Sequence, residues 1–310
     1  MTPTTTTHSA TPWFAGFTSR HIRTQGADIH LRTGGNPQGP VLLLVHGFPQ
    51  SHVMWHRVAQ RLAPHYHLVL PDLRGYGDSS KPTGAPDHAN YSKRAMAQDL
   101  VDVMDALGLP EFYLCGHDRG ARVSHRLALD HPDRVRKLCL IDIAPTLDMY
   151  HGTDMGFARA YYHWFFLIQP APLPETLIGS TPDVTRQWLH STLGAWGSTG
   201  LQWMEPSALA EYERCFLQPA AIHAVCEDYR ASAGIDLEHD LASRACGKKI
   251  ACDMHLLWGQ HGVVNRFFQP MALWHAQCAG HLSGEALDAG HFIPEELPDR
   301  TAAILQRFMA

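Results

Sequence analysis

Long hydrophobic runs are missing from this sequence. No apolar stretch reaches the roughly 20 residues that cross a bilayer, so a membrane-embedded protein is not expected. A basic excess is missing too: 25 Lys and Arg stand against 30 Asp and Glu, for a net charge of −5 and a pI near 6.5. Nothing in that balance suggests a nucleic-acid partner. Cysteine is scarce and unpatterned. The seven residues (Cys115, Cys139, Cys215, Cys226, Cys246, Cys252 and Cys278) are odd in number and contain no Cys-x-x-Cys pair, which reads as free thiols in a reducing cytoplasm. The 22 histidines scatter without metal-ligand spacing, so no metal is expected. The N-terminal Thr-rich stretch lacks both a basic start and an apolar run. It is not a secretory signal, and residues 1–16 read as a disordered tail.

What is present is a chain of 310 residues, 45% apolar and 18% charged, enough for one large domain or a domain with an inserted lobe. Strand-like segments run over Ser19 to Thr24, Ile29 to Thr33, Val41 to Val45, His67 to Leu70, Phe112 to Cys115 and Leu138 to Ile141. Helical patterns fall between them, at Met96 to Leu107 and Ala121 to Leu129. The continuous apolar run Val41-Leu42-Leu43-Leu44-Val45 is that of a strand buried on both faces. Such alternation predicts a mostly parallel sheet flanked by helices. It stops near Pro145. From about 149 to 245 no strand is apparent, aromatic residues concentrate, and Pro206 and Pro219 stand where helices start. Strand character returns at Met254 to Trp258, and Ala302 to Met309 reads as a closing helix. The chain therefore divides into a core over 17–148, a helical cap over 149–245 and a second core segment over 246–310.

The chemistry centres on Gly116-His117-Asp118-Arg119-Gly120, between a strand and a helix. This is the context of a nucleophile elbow, with aspartate where serine is usual. The helix N-terminus and Arg119 both favour an ionised Asp118. A carboxylate in that position suits displacement at an sp³ carbon better than attack on amides or lipids. His46-Gly47-Phe48-Pro49 follows the buried strand, and the N–H groups of Phe48 and Arg119 are the expected oxyanion hole. His46 reads as a packing residue, and Asp72 and Arg74 as braces of a turn. The expected general base is His291, in a Gly-His-aromatic turn; His261 and His281 lack that context. No carboxylate follows the strand ending at Trp258-Gly259, whereas Asp142 lies amid apolar residues after the preceding strand. A buried acid needs a partner, and pairing with His291 supplies one. Arg119 and Arg122, three apart on one helix, share a face beside Asp118 and predict a substrate bearing a carboxylate.

Together these residues resemble the haloacetate (fluoroacetate) dehalogenases of the α/β-hydrolase fold. The likeness is specific at Gly116 to Arg122, at Asp142, at His163-Trp164, at Cys226-Glu227-Asp228-Tyr229-Arg230 and at His291. Related haloalkane dehalogenases and epoxide hydrolases commonly carry tryptophan after the nucleophile; here arginine stands there, as in the haloacetate enzymes. The resemblance implies that His163, Trp164 and Tyr229 hold the departing halide, with Tyr212 the competitor for the place of Tyr229. Tyr161, Tyr162, Phe165 and Phe166 read as packing. It also implies a small halogenated carboxylic acid as substrate, no cofactor and a homodimer. Two rivals stand beside it. One is an epoxide hydrolase using the same Asp-Asp-His set with a cap phenol from Tyr161, Tyr162, Tyr212 or Tyr229. The other is a non-catalytic receptor on this fold.

Overall fold

The computed structural model describes residues 12–198 and 200–310. Eight strands form one sheet: β1 (Thr18–Arg23), β2 (Asp28–Gly35), β3 (Val41–Val45), β4 (His67–Pro71), β5 (Phe112–His117), β6 (Val135–Ile141), β7 (Asp253–Gly259) and β8 (Leu282–Leu287), in the order β1-β2-β4-β3-β5-β6-β7-β8. β2 pairs antiparallel with β1 and β4, and the remaining neighbours are parallel. Helices α1 (His56–Leu62), α2 (Lys93–Ala106) and α3 (Asp118–Asp130) connect the first strands. The central strands bury nearly every side chain, as their uninterrupted apolar runs require.

Between β6 and β7 the elements named among the described residues are all helices: α4 (Thr146–His151), α5 (Met155–Ala160), α6 (Tyr162–Leu167), α7 (Leu173–Ile178), α8 (Pro182–Leu193), α9 (Pro206–Phe216), α10 (Pro219–Ala233) and α11 (Ile235–Ala245). Pro206 and Pro219 open α9 and α10, where the missing N–H of proline costs no helical bond. After β7 come α12 (Val263–Phe267) and α13 (Pro270–His275); after β8 come α14 (Ile293–Glu296) and the closing α15 (Pro298–Met309). None of the described helices is long and apolar enough to cross a membrane.

Two expectations need correction. Strand β8 left no legible signal, because Leu282-Ser-Gly-Glu-Ala-Leu is an edge strand whose residues are mostly half-exposed. The tail predicted over 1–16 is too long by several residues. Residues 1–11 lie outside the described ones, but Pro12–Phe14 form a short 3₁₀ turn with Trp13 and Phe14 buried. The Trp13 indole N–H donates to Glu205 Oε1 at 2.9 Å.

The strand order positions the site. β4 lies on one side of β3 and β6 lies beyond β5 on the other, so the connections leaving the neighbouring strands β3 and β5 diverge at their carboxyl ends. A crevice opens at such a switch point in parallel sheets. The register pairs Val45 with Gly116, His117 with Ile141, and Ile141 with Leu257. Residues just beyond those pairs (Phe48, Asp118, Asp142 and Gly259) are thereby brought to one rim.

Candidate active site

Asp118 and Asp142 both sit one residue past the end of a central strand, with positive φ of 47° and 53°. A left-handed backbone is unfavourable for any residue with a Cβ, and such conformations gather where side-chain direction matters more than local comfort. The tight turn at Asp118 also demands room: a Cβ on Gly47 would lie 2.6 Å from Asp118 Cβ and 2.7 Å from the His117 carbonyl oxygen. Glycine there lets the β3 loop approach until the Phe48 N–H donates to Asp118 Oδ1 at 3.0 Å.

His291 is carried back across the sheet by the turn after β8. A Cβ on Gly259 would stand only 2.0 Å from the Gly290 carbonyl oxygen, so the close crossing depends on that glycine. His291 Nδ1 lies 2.5 Å from Asp142 Oδ2, and its Nε2 lies 3.7 Å from Asp118 Oδ2. The other oxygen of Asp142 accepts the Gly259 N–H at 3.0 Å. The β7 loop, which has no carboxylate of its own, thus contributes a backbone donor that steadies the acid from β6. His117 completes the frame: its ring Nε2 lies 2.8 Å from the His291 carbonyl oxygen. Burial holds that imidazole down at about 3, so it is neutral and donates.

Charges around Asp118 are strongly coupled. Burial alone raises its carboxyl, but His291, His117, Arg122 and Arg119 together outweigh burial and set it below its usual value. Burial pulls the His291 imidazole down, yet the hydrogen bond to Asp142 and the charges of Asp142 and Asp118 raise it above the ordinary histidine value.

The two arginines are buried but differ in their partners. Arg119 Nε and Nη2 grip the Asp228 carboxylate of α10 at 3.0 and 2.7 Å, and only Nη1 has no partner in the protein. Arg122 touches no carboxylate: Nη1 donates to Ala144 O and Thr146 Oγ1 at 3.1 and 2.9 Å, and its Nε has no partner. Arg119 lies over the Tyr229 ring at 4.1 Å from its centroid, and Arg122 over the Trp164 ring at 4.8 Å. The N–H of Arg119, expected beside that of Phe48, is not among the hydrogen bonds of the Asp118 carboxylate, whose Oδ1 is taken up by Phe48.

His163 and Trp164 are adjacent on α6, and both are buried against Tyr229, with ring centroids 5.6 and 6.4 Å away. Tyr229 Oη and His163 Nδ1 have no partner in the protein. Burial lowers the His163 imidazole to about 3, so it stays neutral. Tyr212, the competitor for Tyr229, lies elsewhere: its O–H donates to Glu295 Oε1 at 3.1 Å. Tyr161 packs between His163 and Trp164, Phe165 and Phe166 are half-buried in the core, and Tyr162 points outward. His46 accepts the Leu73 N–H, Asp72 binds His30 and His52, and Arg74 pairs with Asp99; all three brace turns. His261 pairs with Asp288 at the surface.

Several residues of this site escaped the sequence reading. Trp196, at a positive φ of 59°, sets its ring 4.6 Å from His163 and 5.1 Å from His291. The Tyr150 ring lies tilted against that of Trp164, 4.9 Å between centroids, with its O–H unpartnered. Asp228 lay inside a segment already singled out, and its position next to Tyr229 was the one available hint. Trp196 and Tyr150 carried no local signal.

The α/β-hydrolase fold family matches residues 40–296. A fluoroacetate dehalogenase of a Burkholderia species is 46% identical over 297 residues, covering 96% of this chain and 95% of its own. The soluble epoxide hydrolase of Corynebacterium sp. (strain C12) is 29% identical over 92% of this chain and 94% of its own. The crystal structure of an α/β hydrolase from Nostoc sp. PCC 7120 superposes with a TM-score of 0.91 and 53% identity, covering 96% of this chain and 99% of that one.

Proposed function

Because the chain belongs to the α/β-hydrolase family and, within it, to the haloacetate dehalogenases, we propose that it hydrolyses haloacetates to glycolate and halide through an ester on Asp118. One observation carries this reading. Arg119 Nη1, Arg122 Nε, His163 Nδ1, Tyr229 Oη and His291 Nε2 are all buried and without a partner in the protein, and each belongs to a residue coupled electrostatically to Asp118. Buried polar atoms are rarely left so, and a cluster of them facing an anionic nucleophile fits a small anion with a second acceptor at its other end.

In the first half-reaction the free oxygen of Asp118 attacks the α-carbon, and the carbon–halogen electron pair leaves with the halide. Arg122 and Arg119 hold the substrate carboxylate; His163, Trp164 and Tyr229 receive the halide. In the second, His291 Nε2 takes a proton from water, which attacks the ester carbonyl carbon. The Phe48 N–H faces the oxygen that becomes negative, with the Arg119 N–H as the second donor. Electrostatics time the base. The Asp118 charge helps to raise His291 in the free enzyme. Esterification removes that charge, so the imidazole becomes easier to deprotonate when a base is needed.

The deciding assay follows halide and glycolate from fluoroacetate and chloroacetate, with styrene oxide alongside. Glycolate and halide are expected in equal amounts, and in a single turnover in H₂¹⁸O the new glycolate oxygen should come from the enzyme. Product oxygen drawn directly from water would remove the ester intermediate. Faster turnover of styrene oxide would favour epoxide opening, the reading supported by the unpartnered phenols of Tyr150 and Tyr229.

The pH profile has a definite sign. A base works only when neutral, so the rate of ester hydrolysis, and kcat where that step limits, should fall as pH drops through the His291 value of the ester form, which lies below that of the free enzyme because the Asp118 charge is gone. Asp142→Asn removes the group that raises the His291 value. That variant should be slower and have its acid limb at lower pH; an unmoved limb would assign the titration elsewhere.

A further inference from the structure

Glu295 is a buried carboxyl that the proposed reaction does not use. It lies on α14, four residues after His291, and is 2% exposed. Its Oε1 accepts the Tyr212 O–H from cap helix α9 at 3.1 Å, and its Oε2 meets the side-chain amide of Gln50. Gln50 in turn closes the turn that presents Phe48, its backbone N–H donating to Gly47 O at 3.0 Å. One carboxyl therefore joins the oxyanion-hole loop, the turn bearing the base, and the cap.

We infer that Glu295 is a positioning residue that works as the neutral acid, tying the Phe48 loop and the cap to the His291 turn. The environment supports the neutral form. Arg57 of α1 faces this helix but donates to the Glu295 backbone carbonyl at 3.2 Å, not to the carboxyl. Glu205 of the cap and Glu296 of the same helix are acids; Glu205 is paired with His56 at 2.9 Å, and Glu296 is bonded by the N–H groups of Gly290 and Phe292. No cation touches the Glu295 carboxyl among the described residues. Gln50 Oε1 is buried without a partner. Since the orientation of a side-chain amide is assigned from its network, a protonated Glu295 can donate to that oxygen. Burial, opposed by the bonds from Tyr212 and Gln50, raises this carboxyl to about 8.

Above that pH the ionised group would lie buried without a cation, and the three-way contact should loosen. The inference rests on the proposed haloacetate chemistry for its rate assay only. In chloroacetate turnover, wild type should lose kcat on the alkaline side near pH 8. Glu295→Gln keeps the neutral hydrogen-bonding shape, so it should rescue kcat to within about threefold and lack that limb. Glu295→Ala should lower kcat roughly 10- to 100-fold with little change in KM. Tyr212→Phe deletes a bond that favours the ionised form, so its limb should move to higher pH.

A second measurement needs no substrate and covers an alanine variant that does not fold. A carboxyl titrating higher folded than unfolded loses stability as pH rises between the two values, from 4.5 to about 8. The wild-type Tm should fall relative to Glu295→Gln across that window. Glu295→Gln keeping the wild-type alkaline limb, a folded Glu295→Ala with wild-type kcat, or parallel Tm curves would each overturn the inference. A protein that releases no halide at any pH would defeat the dehalogenase reading, and the Tm comparison would still decide the role of Glu295.

Discussion

Asp118→Asn is expected to abolish halide release, lowering kcat by about four orders of magnitude or more, while leaving the fold intact. The substitution is nearly isosteric. Asparagine still offers an oxygen to the Phe48 N–H, which now donates to Asp118 Oδ1 at 3.0 Å. What disappears is the negative charge and the lone pair that forms the carbon–oxygen bond. An amide cannot displace fluoride or chloride from an α-carbon at a useful rate, and His291 has no ester to hydrolyse. Haloacetate binding should survive or tighten, because the variant no longer sets a carboxylate beside an incoming anion. The check is halide release with chloroacetate together with a binding isotherm for the same acid. Lost turnover with retained binding assigns Asp118 as nucleophile. Turnover above a tenth of wild type would place the nucleophile elsewhere.

The second large effect separates the two arginines. Arg119 is neutralised in place: it shares Asp228 with Lys93, Tyr76 donates to the same carboxylate at 2.6 Å, and Lys93 also faces Asp236 at 3.4 Å. Arg122 has carbonyl, hydroxyl and thioether partners instead. Near Asp118 it is the arginine not paired with a carboxylate, and its Nε is free to donate. Arg122→Gln should therefore reduce kcat/KM for chloroacetate on the order of 10²- to 10³-fold, through loss of charge-assisted hydrogen bonds. It should change the value for uncharged chloroacetamide far less.

Arg119→Gln has a different signature. It leaves Asp228 buried with part of its compensation gone, a situation that costs about 3–5 kcal/mol and lowers Tm by roughly 5–15 °C in a domain of this size. Measuring Tm and the chloroacetate-to-chloroacetamide ratio for both variants tests the distinction. Equal Tm losses with equal ratios would make the two arginines interchangeable anchors.

Much of this molecule could be read along the chain, for an identifiable reason. Strand runs, helix-starting prolines and the Gly-x-Asp-x-Gly turn are local patterns whose consequences unfold within a few residues. They yielded seven of the eight strands and a helical insertion between β6 and β7. β8 was lost because an edge strand needs no alternating apolar side. The pairing of Asp142 with His291 was inferable from the discomfort of an unpartnered acid, although 149 residues separate them.

Other features exist only once the chain has closed. Whether Tyr229 or Tyr212 faces the Asp118 crevice depends on how α9 and α10 pack on the core, since both residues lie on helices of the insertion with buried faces. Trp196 reaches His291 from a turn with no periodic pattern, and Tyr150 meets Trp164 across two helices. The Gly-x-Asp-x-Gly turn, the strand before it and the helix after it are determined by the amino-acid sequence itself, because each is set by neighbours within a few residues, whereas the order of the strands in the sheet emerges only when they pair. Tertiary structure alone decided which arginine lacks a carboxylate partner and that the Glu295 carboxyl meets both Gln50 and Tyr212. Partners in a buried network come from distant elements, and the low dielectric that makes their charges matter is created only when those elements pack together.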